Sequence, residues 1–224
     1  MESRIVDEEV VKYIRTLLPE HRGLLEELEA YAERFHVPII HPEISQYISV
    51  MMKCWKPNSV LEVGTAIGYS ASVFATSMKL GEIDTIELNE AMAEKAAETF
   101  ETLKQLVPEV NVTLHRGDAK EVLPKLTKTY DLIFLDASKG HYMEFFDVAY
   151  NLLSPGGVLL SDNVLYKGMV ATDEYANRRN KTIVKRMRWY LETISNHPML
   201  DTTIMPMGDG FAISLKKGVI DEEN

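Results

Sequence analysis

The stretch Ser59-Val-Leu-Glu-Val-Gly-Thr-Ala-Ile-Gly-Tyr-Ser70 decides the fold of this chain. It reads as an apolar strand, a turn through Gly64 and Gly68, and the beginning of a helix. Glycine lets the backbone approach a ligand closely, and in open parallel sheets that ligand lies beyond the carboxyl ends of the strands. The spacing matches neither a P-loop nor the three-glycine dinucleotide pattern. The stretch therefore predicts a binding loop at the end of an α/β strand.

Working outward from this loop, short apolar runs alternate with amphipathic segments. The alternation predicts strands at 60–63, 83–87, 112–115, 131–135 and 158–161, and helices at 69–78, 90–106, 119–126 and 142–153. Strands that are apolar on both faces indicate a mainly parallel sheet with helices on both sides. A polar stretch at 167–177 and a helix at 182–195 then lead to two runs, 201–205 and 210–215. These two runs predict an antiparallel hairpin at the sheet edge, for seven strands in all.

The N-terminal segment differs from the rest because its apolar residues follow a helical period throughout. Stripes at 6–18, 24–35 and 44–52 predict three helices, the first ended by Pro19. We therefore predict a helical appendage at 1–56 and a core at 57–224, within a single domain.

Composition narrows the classes of function. The 224 residues are 46% hydrophobic, and 34 acidic against 24 basic residues give a net charge of −10, which argues against indiscriminate nucleic-acid binding through the whole surface. A single cysteine, Cys54, permits no internal disulfide and favours a reducing compartment. The charged start does not resemble a signal peptide, and no apolar run is long enough to span a bilayer. We expect a soluble cytoplasmic protein without a membrane partner.

Acidic residues stand at the ends of three successive predicted strands. Glu62 precedes the glycine loop, where it would repel a pyrophosphate but suit a sulfonium or ammonium group. Glu87 ends the next strand, where an acid can accept hydrogen bonds from both ribose hydroxyls, and Asp118 follows the third, where it could meet an adenine amino group. The plainer alternative is a tight turn with solvated acids around it. The joint pattern resembles the S-adenosylmethionine (SAM) site of class I methyltransferases.

Oxygen ligands follow the next two strands. Asp136 ends one of them, Asp162 and Asn163 end the other, and Lys139 lies three residues after Asp136. Such hard oxygen ligands favour Mg²⁺, Mn²⁺ or Ca²⁺ over zinc. A nearby divalent ion would lower the pKa of Lys139 and make it a candidate base. Alternatively, Asp136 is a helix N-cap, the Asp-Asn pair forms a turn, and Lys139 is a plain surface lysine.

The segments Leu135-Asp-Ala-Ser-Lys139 and Ser161-Asp-Asn-Val-Leu165 resemble the metal-dependent O-methyltransferases, a family that includes the catechol and caffeoyl-coenzyme A enzymes. The resemblance extends from about Tyr31 to Lys217 and implies a Rossmann-like class I methyltransferase fold. It implies SAM as methyl donor and Mg²⁺, or Mn²⁺ or Ca²⁺, held by Asp136, Asp162 and Asn163, with Lys139 as catalytic base. The cofactor-lining residues that it implies are Ile40, Glu62, Gly64, Ser70, Glu87, Asp118, Ala119 and Asp136.

Within that family, the chain most resembles a bacterial branch of tRNA 5-hydroxyuridine methyltransferases. The similar segments are Tyr31-Ala-Glu-Arg-Phe-His-Val-Pro38, Asn163-Val-Leu-Tyr-Lys-Gly168, Pro206-Met-Gly-Asp-Gly-Phe-Ala-Ile-Ser214 and the basic run after Asn177. Ala137 and Ser138 stand where animal catechol enzymes carry bulky residues. The resemblance implies methylation of 5-hydroxyuridine at the tRNA wobble position to give 5-methoxyuridine. A small catechol-like phenol remains the alternative substrate, and a non-enzymatic module would leave the three metal-ligand candidates without a purpose.

Six cations with no acid between them follow that loop. They are Arg178, Arg179, Lys181, Lys185, Arg186 and Arg188. In a protein of charge −10 this concentration favours a phosphate-binding surface for tRNA, although a solvated helix face is the ordinary alternative. The family resemblance also implies a homodimer. The apolar stripes of the N-terminal helices fit that expectation, but they could equally pack on their own sheet.

Overall fold

The computed structural model describes residues 5–175 and 179–218 of the chain. Within these ranges the α-helices are α1 (Glu8–Thr16), α2 (Leu24–Phe35), α3 (Pro42–Trp55), α4 (Tyr69–Ser77), α5 (Glu90–Leu106), α6 (Ala119–Val122), α7 (Tyr142–Leu152) and α8 (Lys181–Asn196). The strands are β1 (Ser59–Val63), β2 (Gly81–Glu87), β3 (Val110–Arg116), β4 (Tyr130–Leu135), β5 (Leu153–Ser161), β6 (Leu200–Met205) and β7 (Phe211–Lys216).

The predicted sheet is confirmed. Over the described residues its seven strands have the order β3-β2-β1-β4-β5-β7-β6. The pairs β1–β2, β2–β3 and β4–β5 are parallel, whereas β7 is antiparallel to both β5 and β6. The carboxyl ends of parallel strands share one edge, which is where open α/β sheets bind ligands.

The chain divides into two compact units, one of residues 9–122 and one of residues 123–224 together with 1–8. We call them the N-terminal unit and the C-terminal unit. This division does not test the predicted appendage at 1–56 and core at 57–224, which stay a prediction.

In the N-terminal unit, polar contacts join the first helices to the β1–α4 segment and to one another. The Tyr69 hydroxyl, at the beginning of α4, donates to Glu29 Oε1 of α2 at 2.5 Å, and His21 Nδ1 lies 2.6 Å from the same oxygen. Arg15 of α1 pairs with Glu43 of α3 at 2.9 Å. Ile44 and Ile48 of α3 are fully buried, so this helix belongs to the core of its unit.

In the C-terminal unit, α7 and α8 pack through aromatic side chains. The Tyr142 and Tyr190 rings meet edge to face at 5.2 Å, and the Tyr190 hydroxyl lies 2.5 Å from Ser161 Oγ at the end of β5. These buried rings contribute a large apolar area, and the Tyr190 hydroxyl contacts the end of β5. Ser161 directly precedes the candidate metal ligands Asp162 and Asn163, so this packing helps to position them.

Most element boundaries agree with the sequence within two residues, including the first helix, which covers Glu8–Thr16 against a prediction of 6–18. Helix α3 ends at Trp55, three residues beyond the predicted stripe, and two further segments differ for physical reasons. The segment predicted as one helix at 119–126 becomes α6 followed by a 3₁₀ turn at Leu123–Lys125, because Pro124 has no N–H for an α-helical bond. Strand β5 begins at Leu153 rather than Val158, since Leu153 already pairs with Tyr130 before a register shift. Among the described residues, no helix is both long and apolar enough to cross a membrane; the cytoplasmic location stays a prediction.

Candidate functional site

The glycine loop after β1 has a left-handed backbone at several positions. Gly64 and Gly68 have φ values of 107° and 84°, and Ala66 between them has 46°. A Cβ atom at Gly68 would lie 2.8 Å from Phe100 Cε1, so the loop also needs glycine there for packing against α5. The Gly64 N–H donates to the Ile86 carbonyl of β2 at 3.0 Å. The loop is therefore held against the end of β2.

Glu62 is a fully buried carboxylate at the end of β1. Hydroxyl groups donate to both of its oxygens: Ser70 Oγ to Oε1, and Thr85 Oγ1 to Oε2 at 2.5 Å. Thr85 Oγ1 also lies 2.5 Å from Thr65 Oγ1 of the loop. Two predicted cofactor residues, Glu62 and Ser70, are thus brought into direct contact. Neutral donors of the protein itself therefore satisfy both oxygens of this buried side chain.

Glu87 ends β2 and braces the glycine loop. Its Oε2 accepts the Ala66 N–H at 2.8 Å, and its Oε1 accepts the Asn89 N–H at 2.7 Å. Each carboxylate oxygen retains a further lone pair, so Glu87 can still accept bonds from a ligand's hydroxyls. The Glu87 carbonyl also accepts the Gly117 N–H at 2.8 Å, which joins this site to the turn after β3.

Of the remaining predicted cofactor residues of this unit, Asp118 lies at the start of α6, and Ala119 and Ile40 are buried. Asp118 Oδ1 accepts the Lys120 N–H at 2.9 Å, so Asp118 caps α6. Ala119 and Ile40 are buried at 8% and 3% exposure. The cap explains why an acid follows β3 even without a ligand, and the adenine contact of Asp118 stays a prediction.

In the C-terminal unit, the ends of β4 and β5 carry the candidate metal ligands side by side. The Asp162 N–H donates to the Leu135 carbonyl at 3.0 Å, which places Asp162 next to the strand end that leads into Asp136. The Tyr142 hydroxyl contacts the Leu135 and Asp162 carbonyls at 3.0 and 2.8 Å. One buried tyrosine thus fixes both strand ends, and the sequence analysis had not identified it.

The two carboxylates of this pair stand in an unfavourable environment for their charge. Burial raises the pKa of Asp136 to about 6, although the Lys139 ammonium acts in the opposite direction. Burial and, second, the charge of Asp136 raise the pKa of Asp162 well above its usual value. Asp162 is 1% exposed. A bound divalent cation would remove this repulsion, so the donor set fits a metal ion that prefers oxygen.

Asn163 completes the predicted ligand set. It has a left-handed backbone (φ 57°), which asparagine tolerates better than most residues, and its N–H donates to Asp162 Oδ1 at 2.6 Å. Among the described residues, no group of three or more His, Cys, Asp and Glu side chains could hold a metal. The predicted set has two carboxylates and one carboxamide, and its metal binding stays a proposal.

Lys139 lies close to this pair, in contact with two residues that the sequence analysis had not selected. Its Nζ is 3.4 Å from Asp209 Oδ2 and 5.4 Å from the centre of the Tyr166 ring. Asp209 belongs to the turn between β6 and β7, and Tyr166 to the loop after Asn163. The 209–210 pair of Asp and Gly signals a turn, but only the fold brings that turn to Lys139.

The basic segment is less available than its sequence suggested. Arg186 donates to the Gly140 carbonyl at 2.9 Å, and Arg188 donates to the Val170 carbonyl at 2.8 Å and pairs with Asp173 at 2.5 Å. Arg186 and Arg188 therefore hold nearby loops. Arg178 lies outside the described residues. Arg179, Lys181 and Lys185 are exposed.

Comparisons with known proteins identify the family of this chain. Residues 18–217 match the family model described as O-methyltransferase. Catechol O-methyltransferase of Niastella koreensis is 28% identical, over 94% of this chain and 97% of the relative. The solved structure of a proposed caffeoyl-CoA O-methyltransferase from Staphylococcus aureus is 33% identical, covers 92% of this chain and 98% of its own, and has a TM-score of 0.82. An O-methyltransferase from Bacillus cereus, solved in complex with SAH, is 27% identical over 93% and 97% of the two chains, with a TM-score of 0.80. The chain belongs to the O-methyltransferase family.

Proposed function

We propose that this protein is a SAM- and divalent-metal-dependent O-methyltransferase that methylates a hydroxyl group beside a second oxygen on a planar ring. The observation that carries the proposal is the pair of carboxylates at the ends of β4 and β5, with raised pKa values and with Asn163 and Lys139 beside them. A metal ion held by these protein ligands could also bind two adjacent oxygens on the substrate ring.

The methyl donor is SAM, and the N-terminal unit holds it. Support comes from the SAH complex of the Bacillus cereus relative and from the glycine loop with its braced Glu87. The spare lone pairs of Glu87 accept the ribose hydroxyls. Ser70 and Thr85 hold the Glu62 carboxyl in place at the loop, where a carboxylate suits the positive end of the donor.

Asp136, Asp162 and Asn163 hold Mg²⁺, with Mn²⁺ and Ca²⁺ as alternatives. When bound, the ion supplies Lewis-acid stabilisation of a developing oxyanion and makes the substrate hydroxyl more acidic. Asp136 and Asp162 supply the negative charge that retains the ion, and Tyr142 keeps the two strand ends together. Lys139 accepts the hydroxyl proton on its Nζ, which leaves the oxygen free to attack the methyl group.

The first test is methyl transfer from SAM to paired probes. Catechol and 5-hydroxyuridine offer two adjacent oxygens. Phenol lacks the second hydroxyl of catechol, and uridine lacks the 5-hydroxyl that would react. We expect transfer to at least one of the first pair, none to the second pair, and loss of transfer with EDTA that added Mg²⁺ restores. Parental activity with EDTA present would contradict the metal.

As the natural substrate we propose 5-hydroxyuridine at the tRNA wobble position. Support comes from the exposed cations Arg179, Lys181 and Lys185 and from Trp189, which is 57% exposed on the same helix, α8. Lys181, Lys185 and Trp189 follow a four-residue spacing and therefore share one face of α8. Lysines contact phosphates and an exposed indole can stack on a base that has left its helix.

A small catechol-like phenol is the second candidate. It is favoured by the names of the relatives, which are catechol and caffeoyl-CoA enzymes, and by the internal contacts of Arg186 and Arg188. A small substrate needs no surface beyond the pocket. The two candidates therefore differ at α8 and share the metal-ligand chemistry.

A charge reversal on α8 separates the candidates. Lys181→Glu with Lys185→Glu should lower tRNA methylation by about 10²-fold at moderate salt, because two phosphate contacts become repulsions, and should leave catechol methylation unchanged. The matched control carries the same charge change at Lys104 and Lys125, which are exposed outside α8. Equal tRNA methylation in both double variants, or efficient methylation of catechol with none of tRNA, would support the small-phenol candidate.

A further inference from the structure

Asp209 joins two segments that are far apart in sequence. Its Oδ2 pairs with Lys139 Nζ at 3.4 Å, and its Oδ1 accepts the backbone N–H of Lys167. Lys139 follows β4, whereas Lys167 lies in the loop after β5. One carboxylate therefore holds both a side chain of the candidate site and the backbone beside it.

The turn that carries Asp209 has little freedom to move. The Leu165 N–H donates to the Asp209 carbonyl at 3.0 Å, and the Val164 N–H donates to the Gly210 carbonyl at 2.9 Å. Gly210 has a φ of 88°, and a Cβ atom there would lie 2.6 Å from the Leu165 nitrogen. A side chain at this position would clash with Leu165, so the close approach of the turn to the loop after β5 requires glycine.

The pair with Lys139 is shielded from water on most sides. The side chains of Lys139 and Asp209 are 25% and 15% exposed, and the Tyr166 ring lies 5.4 Å from the Lys139 Nζ. Exposed ion pairs contribute little, but a pair with reduced solvation interacts more strongly. Asp136 and Asp162 also act on the Lys139 charge, but they are the ligands of the proposed metal ion. Unlike these two, Asp209 is not among the proposed metal ligands.

We propose that Asp209 is a positioning residue, which holds the Lys139 amine toward the substrate hydroxyl and ties the 164–168 loop to it. The inference rests on the proposed function, in which Lys139 accepts the hydroxyl proton. In that step the O–H bond breaks, an N–H bond forms on Nζ, and the resulting ammonium gains its counter-charge from Asp209. The proton leaves Nζ to water after the methylated product has departed.

The test uses Asp209→Asn, which keeps an oxygen for the Lys167 N–H and removes the charge that faces Lys139. We expect kcat to fall by roughly 10- to 100-fold, the usual effect of losing a group that orients a catalytic one. The KM for the acceptor and the Kd for SAM should stay within about twofold, because neither ligand loses a contact. Asp209→Glu, which restores the carboxylate, should recover part of the loss.

Two controls separate positioning from a structural role. Asp201→Asn removes the partner of Lys217 at 3.1 Å from the same hairpin and should leave kcat unchanged. In a Lys139→Met background, Asp209→Asn should cost less than about twofold further, because its effect requires the amine. An equal loss in both backgrounds would overturn the inference.

A spectroscopic readout does not depend on turnover. In protein labelled with ¹³Cε-lysine, the Lys139 signal is the one missing from Lys139→Met, and Asp209→Asn should move it while Asp201→Asn does not. An unmoved signal, or a parental kcat in Asp209→Asn, overturns this inference alone. A parent protein that methylates none of the hydroxylated probes overturns the proposed function and, with it, the catalytic purpose of Asp209.

Discussion

Both compact units place a buried carboxylate at the end of a central strand, and the surroundings of the two differ. Glu62 in the N-terminal unit receives hydroxyl donors from Ser70 and Thr85 on its two oxygens. Asp162 in the C-terminal unit is equally buried, and its pKa is raised first by that burial and second by the neighbouring Asp136 carboxylate. Two hydroxyl donors of the protein satisfy the first carboxylate, whereas the second lies beside another acid, where we propose that a cation binds. Burial alone therefore does not define the electrostatic environment of a carboxylate, because the groups beside it differ.

The largest effect should come from Asp162→Asn. Transfer should fall by about 10³-fold, because the proposed Lewis-acid stabilisation amounts to several kcal/mol. The metal-free protein should instead become more stable, by about 1 kcal/mol or roughly 2–4 °C in Tm, because one of two repelling charges is gone. Calorimetry with Mg²⁺ and thermal unfolding in EDTA measure the two effects.

Glu62→Gln is the matched change in the other unit. It should destabilise the protein, because the Ser70 and Thr85 hydroxyls lose a charged acceptor. A stabilising Glu62→Gln, or a destabilising Asp162→Asn in EDTA, would contradict the comparison.

At the proposed site of the methyl donor, Glu87→Ala should have a smaller effect than Asp162→Asn. SAM affinity should fall by about 1.5–3 kcal/mol, or roughly 10- to 150-fold, because both the ribose acceptor and the brace on Ala66 are lost. Glu87→Gln keeps one oxygen for the Ala66 N–H and should lose less. Isothermal titration with SAM measures both. Unchanged affinity in Glu87→Ala would place the ribose elsewhere.

Stability of the metal-free protein should depend on pH in a defined direction. Burial raises the pKa of Asp136 from an ordinary value of 3.8 to about 6, so the folded protein binds its proton more tightly than the unfolded chain does. The contribution is fully present below about pH 3.8 and is lost as pH rises through 6, amounting to about 1–3 kcal/mol. Unfolding in EDTA between pH 4.5 and 7.5, compared between the parent and Asp136→Asn, isolates this contribution. Saturating Mg²⁺ should reverse the trend.

Tyr142→Phe tests how far the metal ligands depend on their support. The variant removes the hydroxyl that contacts the Leu135 and Asp162 carbonyls and should cost about 1–3 kcal/mol of unfolding free energy. Mg²⁺ affinity should fall with it, because the two strand ends lose their common anchor. Full Mg²⁺ affinity in Tyr142→Phe would show that the strands alone position the ligands.

The prediction with the smallest effect on methyl transfer concerns the oligomeric state. None of the described residues of α1 is buried, although Val10, Tyr13 and Ile14 share one face of the helix and are 49%, 65% and 39% exposed. A homodimer would cover this face, and we expect light scattering to give twice the 25.4 kDa chain mass. Tyr13→Asp with Ile14→Asp should give the single-chain mass with catechol methylation unchanged. A parent protein of single-chain mass would contradict the dimer.

Much of the fold could be predicted because local patterns determined it. The helices Leu24–Phe35 and Glu90–Leu106 have the predicted bounds, since their apolar stripes and their ends agree. The predicted hairpin at the sheet edge is present, because turn residues separate its two apolar runs. The predicted length of strand β5 was too short because Ser-Pro-Gly-Gly at 154–157 signals a turn. Only pairing with β4 extends the strand across that segment.

The sequence by itself determined the family, the positions of most strands and helices and which acids stand at strand ends, because these follow from short-range periodicity and glycine turns. Only the tertiary structure decided what surrounds each acid. Thr85 reaches Glu62 from 23 residues away, Tyr142 reaches Asp162 from 20, and Asp209 reaches Lys139 from 70. No local pattern encodes these partners, because a side chain's electrostatic environment depends on segments that meet only when the chain has folded.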